Sequence, residues 1–157
     1  MNVLSSFNLS GHRALITGSS AGIGLALARH AAAQGMKVVL ADIDEPALLA
    51  RAIKLVQSLT DLPICIDSSV IEALDAGLAV YEGKALVNSM TGEDDRMELI
   101  LPLIKKHNAA IIALPNDEIG IPATAAERIV ITEKIIRAVE KHGISLDNLV
   151  IDPLAMT

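Results

Sequence analysis

Aromatic side chains are nearly absent from this 157-residue chain: Phe7 and Tyr81 are the only two, and there is no tryptophan. Without large rigid anchors, the core has to be assembled from Leu, Ile, Val and Ala. Cysteine is as scarce. Cys65 stands alone in an apolar run, which excludes a disulfide within the chain and points to a small buried hydrophobe rather than a nucleophile. That usage fits a reducing, cytoplasmic setting. Positive charge is also short, with 13 Lys and Arg against 19 Asp and Glu and a net charge of −6. A surface that tracks nucleic-acid phosphates needs clustered cations, so nucleic acid is not expected as a partner. The one basic run, Lys105-Lys106-His107, is expected to close a helix at its C-terminal end, where the helix dipole favours cations. No apolar run approaches the length of a membrane span, and Met1 to Ser10 lack the basic-then-apolar order of a signal peptide.

What the chain does have is apolar residues, 52% of the total against 20% charged, enough for one domain with a real core and too many for disorder. Short apolar runs predict strands near 13–17, 37–42, 63–67, 84–88, 109–114 and 149–152. Helical patterns lie between them. The first spans about 21–34, with Ile23, Leu27, Ala28 and Ala31 on one face and Gly35 as its stop. The second starts at Asp44-Glu45-Pro46 and carries Leu48, Leu49, Ala52, Ile53, Val56 and Leu59. Ser69 is expected to cap the third, and Thr91-Gly-Glu-Asp94 resembles a capping box for the fourth, which Pro102 should kink or shorten. Thr124-Ala-Ala-Glu127 is a capping box for the fifth, ended by Gly143.

Six strands alternating with five helices predict one α/β domain over residues 1–157 with a parallel sheet, and the near-continuous apolar strands imply that both sheet faces are covered. A three-layer, doubly wound, Rossmann-like sheet of order 3-2-1-4-5-6 meets that demand in a monomer and is the expectation. The alternative is a sequential half-barrel of order 1-2-3-4-5-6. It leaves a concave face and two edges open, and so calls for a homodimer.

Each strand ends in polar or turn residues: Thr17-Gly18, Asp42, Asp67, Asn88, Asn116-Asp117 and Asp152. Open α/β sheets and (β/α) barrels both bind ligands at the carboxyl ends of their strands. The same residue types also serve as turns and caps.

Residues 8 to about 45 resemble the start of a short-chain dehydrogenase/reductase. Thr17-Gly18-Ser-Ser-Ala-Gly22-Ile23-Gly24 matches that family's TGxxxGIG loop, and Asp42 ends the second strand, where such enzymes place the acid that binds the adenosine ribose. The resemblance implies Gly18, Ser20, Gly22, Ile23, Gly24 and Asp42 as dinucleotide-binding residues and NAD(H), weakly held, as the cofactor. The family's Tyr-x-x-x-Lys pair is missing; Tyr81 and Lys84 have the wrong spacing and read as a loop.

From about residue 50 onward the chain resembles the pterin-binding methyltransferases that act on methyltetrahydrofolate and a corrinoid protein, whose domain is a (β/α)₈ barrel. Leu62-Pro-Ile-Cys-Ile-Asp67-Ser-Ser, Leu86-Val-Asn88-Ser and Leu149-Val-Ile-Asp152-Pro-Leu carry the likeness, with Ile121-Pro and Ala126-Glu-Arg128. By resemblance, Asp67, Asn88 and Asp152 are the pterin-binding positions; carboxylates accept N–H bonds from the ring and an amide both donates and accepts. The match takes in the third to sixth strands of the barrel. Two partial likenesses in one chain suggest an engineered chimera joined near residues 43–55. It would have no catalytic residues, no evolved activity and no required cofactor. The alternatives are an NAD-binding domain and, after it, a pterin-binding fragment.

Overall fold

The computed structural model describes residues 10–19, 22–41 and 46–155. Among the described residues lie six strands and five α-helices. In chain order these are β1 (Arg13–Thr17), α1 (Gly22–Ala33), β2 (Lys37–Ala41), α2 (Pro46–Gln57), β3 (Cys65–Asp67) and α3 (Ile71–Val80). They continue as β4 (Leu86–Thr91), α4 (Asp94–His107), β5 (Ala110–Leu114), α5 (Ala125–Lys141) and β6 (Leu149–Ile151), with a 3-10 turn at Leu146–Asn148. No helix among these residues is long and apolar enough to cross a membrane.

The α/β alternation is as expected from the sequence, but the strand order is not. The strands follow chain order, β1-β2-β3-β4-β5-β6. This corrects the doubly wound Rossmann-like arrangement to the sequential, half-barrel one. The expectation rested on covering both faces of every strand. Instead, Leu15 of β1 is 65% exposed and Val150 of β6 is 48% exposed, so apolar strand residues face solvent. The chain divides into two compact units, Met1–Gly83 and Lys84–Thr157.

In the first unit β1 pairs with β2 and β2 with β3, all parallel, which sets Ile16, Leu40 and Ile66 in one buried row. Leu49, Ala52, Ile53 and Val56 of α2 and Ala73, Leu74 and Leu78 of α3 fill the core. These two helices pack so closely that a Cβ on Gly77 would lie 2.9 Å from Ile53 Cδ1. In α1 the buried side is Ala28, Ala31 and Ala32, while Ile23 and Leu27 are exposed, so the expected face is only half right. The N-cap of α3 is Val70 rather than Ser69; the Ser68 hydroxyl accepts from the Val70 amide at 3.2 Å. Tyr81 is structural, as its spacing suggested: its hydroxyl accepts from the Ile64 amide at 3.0 Å.

In the second unit β4, β5 and β6 pair in parallel. Buried Val87, Met90, Ile111 and Ala113 alternate with half-buried neighbours. The buried stripes of α4 (Met97, Ile100, Leu101, Ile104) and α5 (Ile131, Ile135, Val139) complete the core. Pro102 does not shorten α4, which runs unbroken for 14 residues. The box at Thr91–Asp94 does not form, because β4 extends through Thr91 and Glu93 becomes the N-cap without a side-chain bond. Glu118 fills that role from a distance, accepting from the Asp94 amide at 2.8 Å. The Thr124–Glu127 box forms as expected, and Lys105, in the basic last turn of α4, donates to the Gly143 carbonyl that follows α5.

Candidate functional site at the carboxyl ends of the strands

In the first unit β1 turns through Gly18, at φ +61°, and the buried Ser19 into α1, which opens at Gly22 with φ +53°. Positive φ explains why glycine stands at both points. Ile23 is 82% exposed, and Gly24 is half-buried in the first helical turn. Ser20 and Asp42, the other two expected dinucleotide contacts, lie outside the described residues.

Asp67 is the last residue of β3 and is half-buried on the same face as Cys65, with the fully buried Ile66 between them on the other. Burial first, and then the negative charge of Asp67, push the Cys65 thiol up to about 11. The thiol stays protonated near neutral pH and behaves as a hydrophobe, as the sequence suggested.

In the second unit the register makes the face assignment. Asn88 pairs with Ile112, and Ile112 with Val150; none of the three is buried on the helix side. After a register shift between Asn88 and Met90, Thr91 pairs with Leu114, which returns Thr91 to the same face as Asn88. Asp152 follows β6, its amide donating to the Ala113 carbonyl at 3.0 Å. Its carboxylate is held in a turn, with Oδ1 accepting from the Leu154 amide at 2.9 Å. Asn88 and Thr91 therefore share one face of β4, and Asp152 stands just past the carboxyl end of β6, on the other side of β5.

Three residues that the sequence reading left out of the site support this end of the unit. Arg128 of α5 donates through Nη1 to the carbonyls of Pro153 and Leu154, both at 2.9 Å, and through Nε to Pro122 at 3.2 Å. One guanidinium thus ties the segment after Asp152 to the loop before α5. Its position in Ala126-Glu-Arg128 was noted only as part of a likeness, and nothing in its spacing announces a clamp. The other two are Thr91 and Asn116. Thr91 Oγ1 and Asn116 Oδ1 are buried with no hydrogen-bond partner among the described residues.

Nearby, a cleft of about 380 Å³ lies between loop 117–123 and α5, lined mainly by Ile119, Ile121, Pro122, Val130 and Ile131. Its walls are mainly apolar, with Asp117 and Glu127 among them, and include neither Asn88 nor Asp152. Lys134 bonds Asp94 at 2.9 Å and approaches Glu118 at 3.7 Å, pinning that loop to the start of α4. The Glu118 carboxyl is held below its usual range, first by the Asp94 amide. No group of three metal-ligating side chains occurs among the described residues.

Comparison with known proteins follows the same line. The family model described as "Pterin binding enzyme" matches residues 39–157. A methylcorrinoid:tetrahydrofolate methyltransferase from Eubacterium limosum is 32% identical over 104 residues, 65% of this chain and 38% of that protein. The 7,8-dihydropteroate synthase structure from Vibrio fischeri ES114 superposes with a TM-score of 0.67 at 14% identity, covering 92% of this chain and 61% of that one. That superposition shows a shared fold. A short-chain dehydrogenase/reductase from Burkholderia phymatum, solved in complex with NAD, gives a TM-score of 0.36 at 18% identity over 93% of this chain and 65% of that chain.

These matches overturn the reading of an engineered, inactive chimera. The family match begins within β2, ahead of the expected join at 43–55, and runs on to residue 157. The expectation of no enzyme and no evolved function falls with it, because the match is to a family of enzymes. The expectations of no required cofactor and of weakly held NAD(H) fall too, since the match, which takes in Asp42, is to a family of pterin-binding enzymes.

Proposed function

The chain belongs to the pterin binding enzyme family, and from that premise we propose that it binds a reduced pterin of the tetrahydrofolate type as part of a methyl-transfer enzyme. The chain spans about 38% of the length of the methyltransferase it matches, so the full reaction is proposed for an assembly in which this segment supplies pterin contacts. One observation carries the reading: residues 39–157 fit one family's model, and within them Asp67 ends β3, Asn88 lies in β4 and Asp152 directly follows β6.

The chemistry of these groups suits the ligand. A reduced pterin presents N–H donors along its 2-amino-pyrimidinone edge, and a carboxylate accepts two such bonds at once. In this reading the Asp152 carboxylate is an acceptor, while the Asn88 amide of the same unit donates to a ring oxygen or nitrogen and accepts in return. The Leu154 amide on Asp152 Oδ1 keeps the carboxylate aimed before the ligand arrives, and Arg128 steadies the backbone that carries it. Orientation set in advance lowers the entropic cost of binding. What these side chains contribute is binding and orientation of the ring that carries the methyl group.

A heat-melt series tests the proposal. Methyltetrahydrofolate at about one hundred times its dissociation constant stabilises a single-site protein by about 2.7 kcal/mol, which raises the midpoint by several degrees. Asp152→Asn should remove most of that rise. A wild-type protein whose midpoint ignores millimolar methyltetrahydrofolate would refute the assignment.

A further inference from the structure

Two buried polar atoms of the second unit stand without hydrogen-bond partners among the described residues: Thr91 Oγ1 and Asn116 Oδ1. They belong to the carboxyl ends of neighbouring strands. Thr91 is the last residue of β4, and Asn116 comes two residues after β5. The Gly92 amide donates to the Asn116 carbonyl at 2.7 Å and stitches the two ends together. Thr91 also shares the sheet face of Asn88 through its pairing with Leu114.

Folded proteins rarely leave such groups unpaired, because burial removes water and returns nothing for it. Each exception calls for an explanation, and a functional role or a bound group that completes the bonding is one. The two atoms also define what can complete it. An amide oxygen only accepts, whereas a hydroxyl donates as well as accepts. A phosphate or carboxylate offers Asn116 no proton, and an apolar group satisfies neither atom. The matching group carries an N–H beside an acceptor, as a reduced pterin ring does.

We propose that Thr91 and Asn116 form a further binding subsite, in which Asn116 Oδ1 accepts a pterin N–H and the Thr91 hydroxyl donates to an adjacent ring oxygen or nitrogen. The inference rests on the pterin reading above and adds two residues to it. Each bond is neutral, so each contributes less than a carboxylate contact.

Calorimetric titration of methyltetrahydrofolate into the full chain tests it, comparing wild type with Thr91→Val and Asn116→Leu. Both substitutions keep the side-chain size and delete the orphaned atom. Each variant should weaken binding about three- to tenfold. The melting midpoint of each without ligand should stay level or rise, because an unpaired buried group has been removed. Unchanged affinity overturns the subsite, and so does a fall in the unliganded midpoint that accounts for the weaker binding. In the latter case the atoms serve the fold through bound water. If wild type binds and Asp152→Asn weakens it while both new variants match wild type, only this inference fails. If wild type itself does not bind, the pterin reading fails and takes the subsite with it.

Discussion

The amide of Gly92 donates to the carbonyl of Asn116 at 2.7 Å, and a Cβ placed on Gly92 would stand 2.6 Å from Ile131 Cγ2 and 3.0 Å from that same carbonyl. The turn after β4 therefore lies flush against the end of β5 and α5, with no space for a methyl group. Gly92→Ala should destabilise the protein by about 1–3 kcal/mol through overpacking. Urea denaturation measures the loss, read as a lower midpoint at unchanged slope. Because the same turn brings Thr91 beside Asn116, affinity for methyltetrahydrofolate should fall as well.

Much of this architecture was legible in the sequence, and the misses have physical causes. The Thr124–Glu127 box, the stop at Gly143 and the buried stripe of α4 depend on residues three or four apart, so local pattern was enough. The cap on the Asp94 amide comes from Glu118, 24 residues later, which no local pattern reveals. Strand order was missed for a related reason. Sequential and doubly wound sheets use the same βα units, and apolar strands such as Leu15–Ile16 do not say which face stays open. Leu15 proves exposed while Ile16 is buried. For the candidate site, Asp67 and Asp152 were singled out by their places at the carboxyl ends of β3 and β6. Asn88 was singled out because the apolar run stops there, whereas β4 runs on to Thr91. Thr91 was hidden by the register shift after Asn88 and Arg128 by its place within a helix.

Tyr81 provides a control that separates fold from function. Its hydroxyl accepts from the Ile64 amide, just before β3. Tyr81→Phe leaves that half-buried bond unmade and should cost about 1 kcal/mol. Denaturation should register the loss, while methyltetrahydrofolate affinity in native buffer stays within twofold of wild type.

The start of α5 should give a pH signature. The Glu127 carboxyl is held below its ordinary value of 4.5, first by the Thr124 hydroxyl and then by the Thr124 amide. A carboxyl depressed in the folded state adds stability that is fully present above its unfolded value and is lost as pH falls through the folded one. Thr124→Ala should therefore lower stability at pH 7 and lower it by less near pH 3. Thermal melts across that range supply the comparison; a loss independent of pH would remove Glu127 from the account.

Cys65 should react slowly with thiol reagents. With its thiol pushed up to about 11, little thiolate is present at pH 8, and the rate should climb as pH rises towards that value. Asp67→Asn removes one of the two causes, so the rate profile should move to lower pH without reaching that of a free thiol.

The most direct measurement is titration of methyltetrahydrofolate and, separately, of NADH into the same protein, followed by calorimetry. The account predicts saturable binding of the pterin, weakened at least about tenfold by Asp152→Asn because a charge-assisted contact is lost. It predicts no comparable binding of NADH. Saturable NADH binding with no response to methyltetrahydrofolate at millimolar concentration would contradict it.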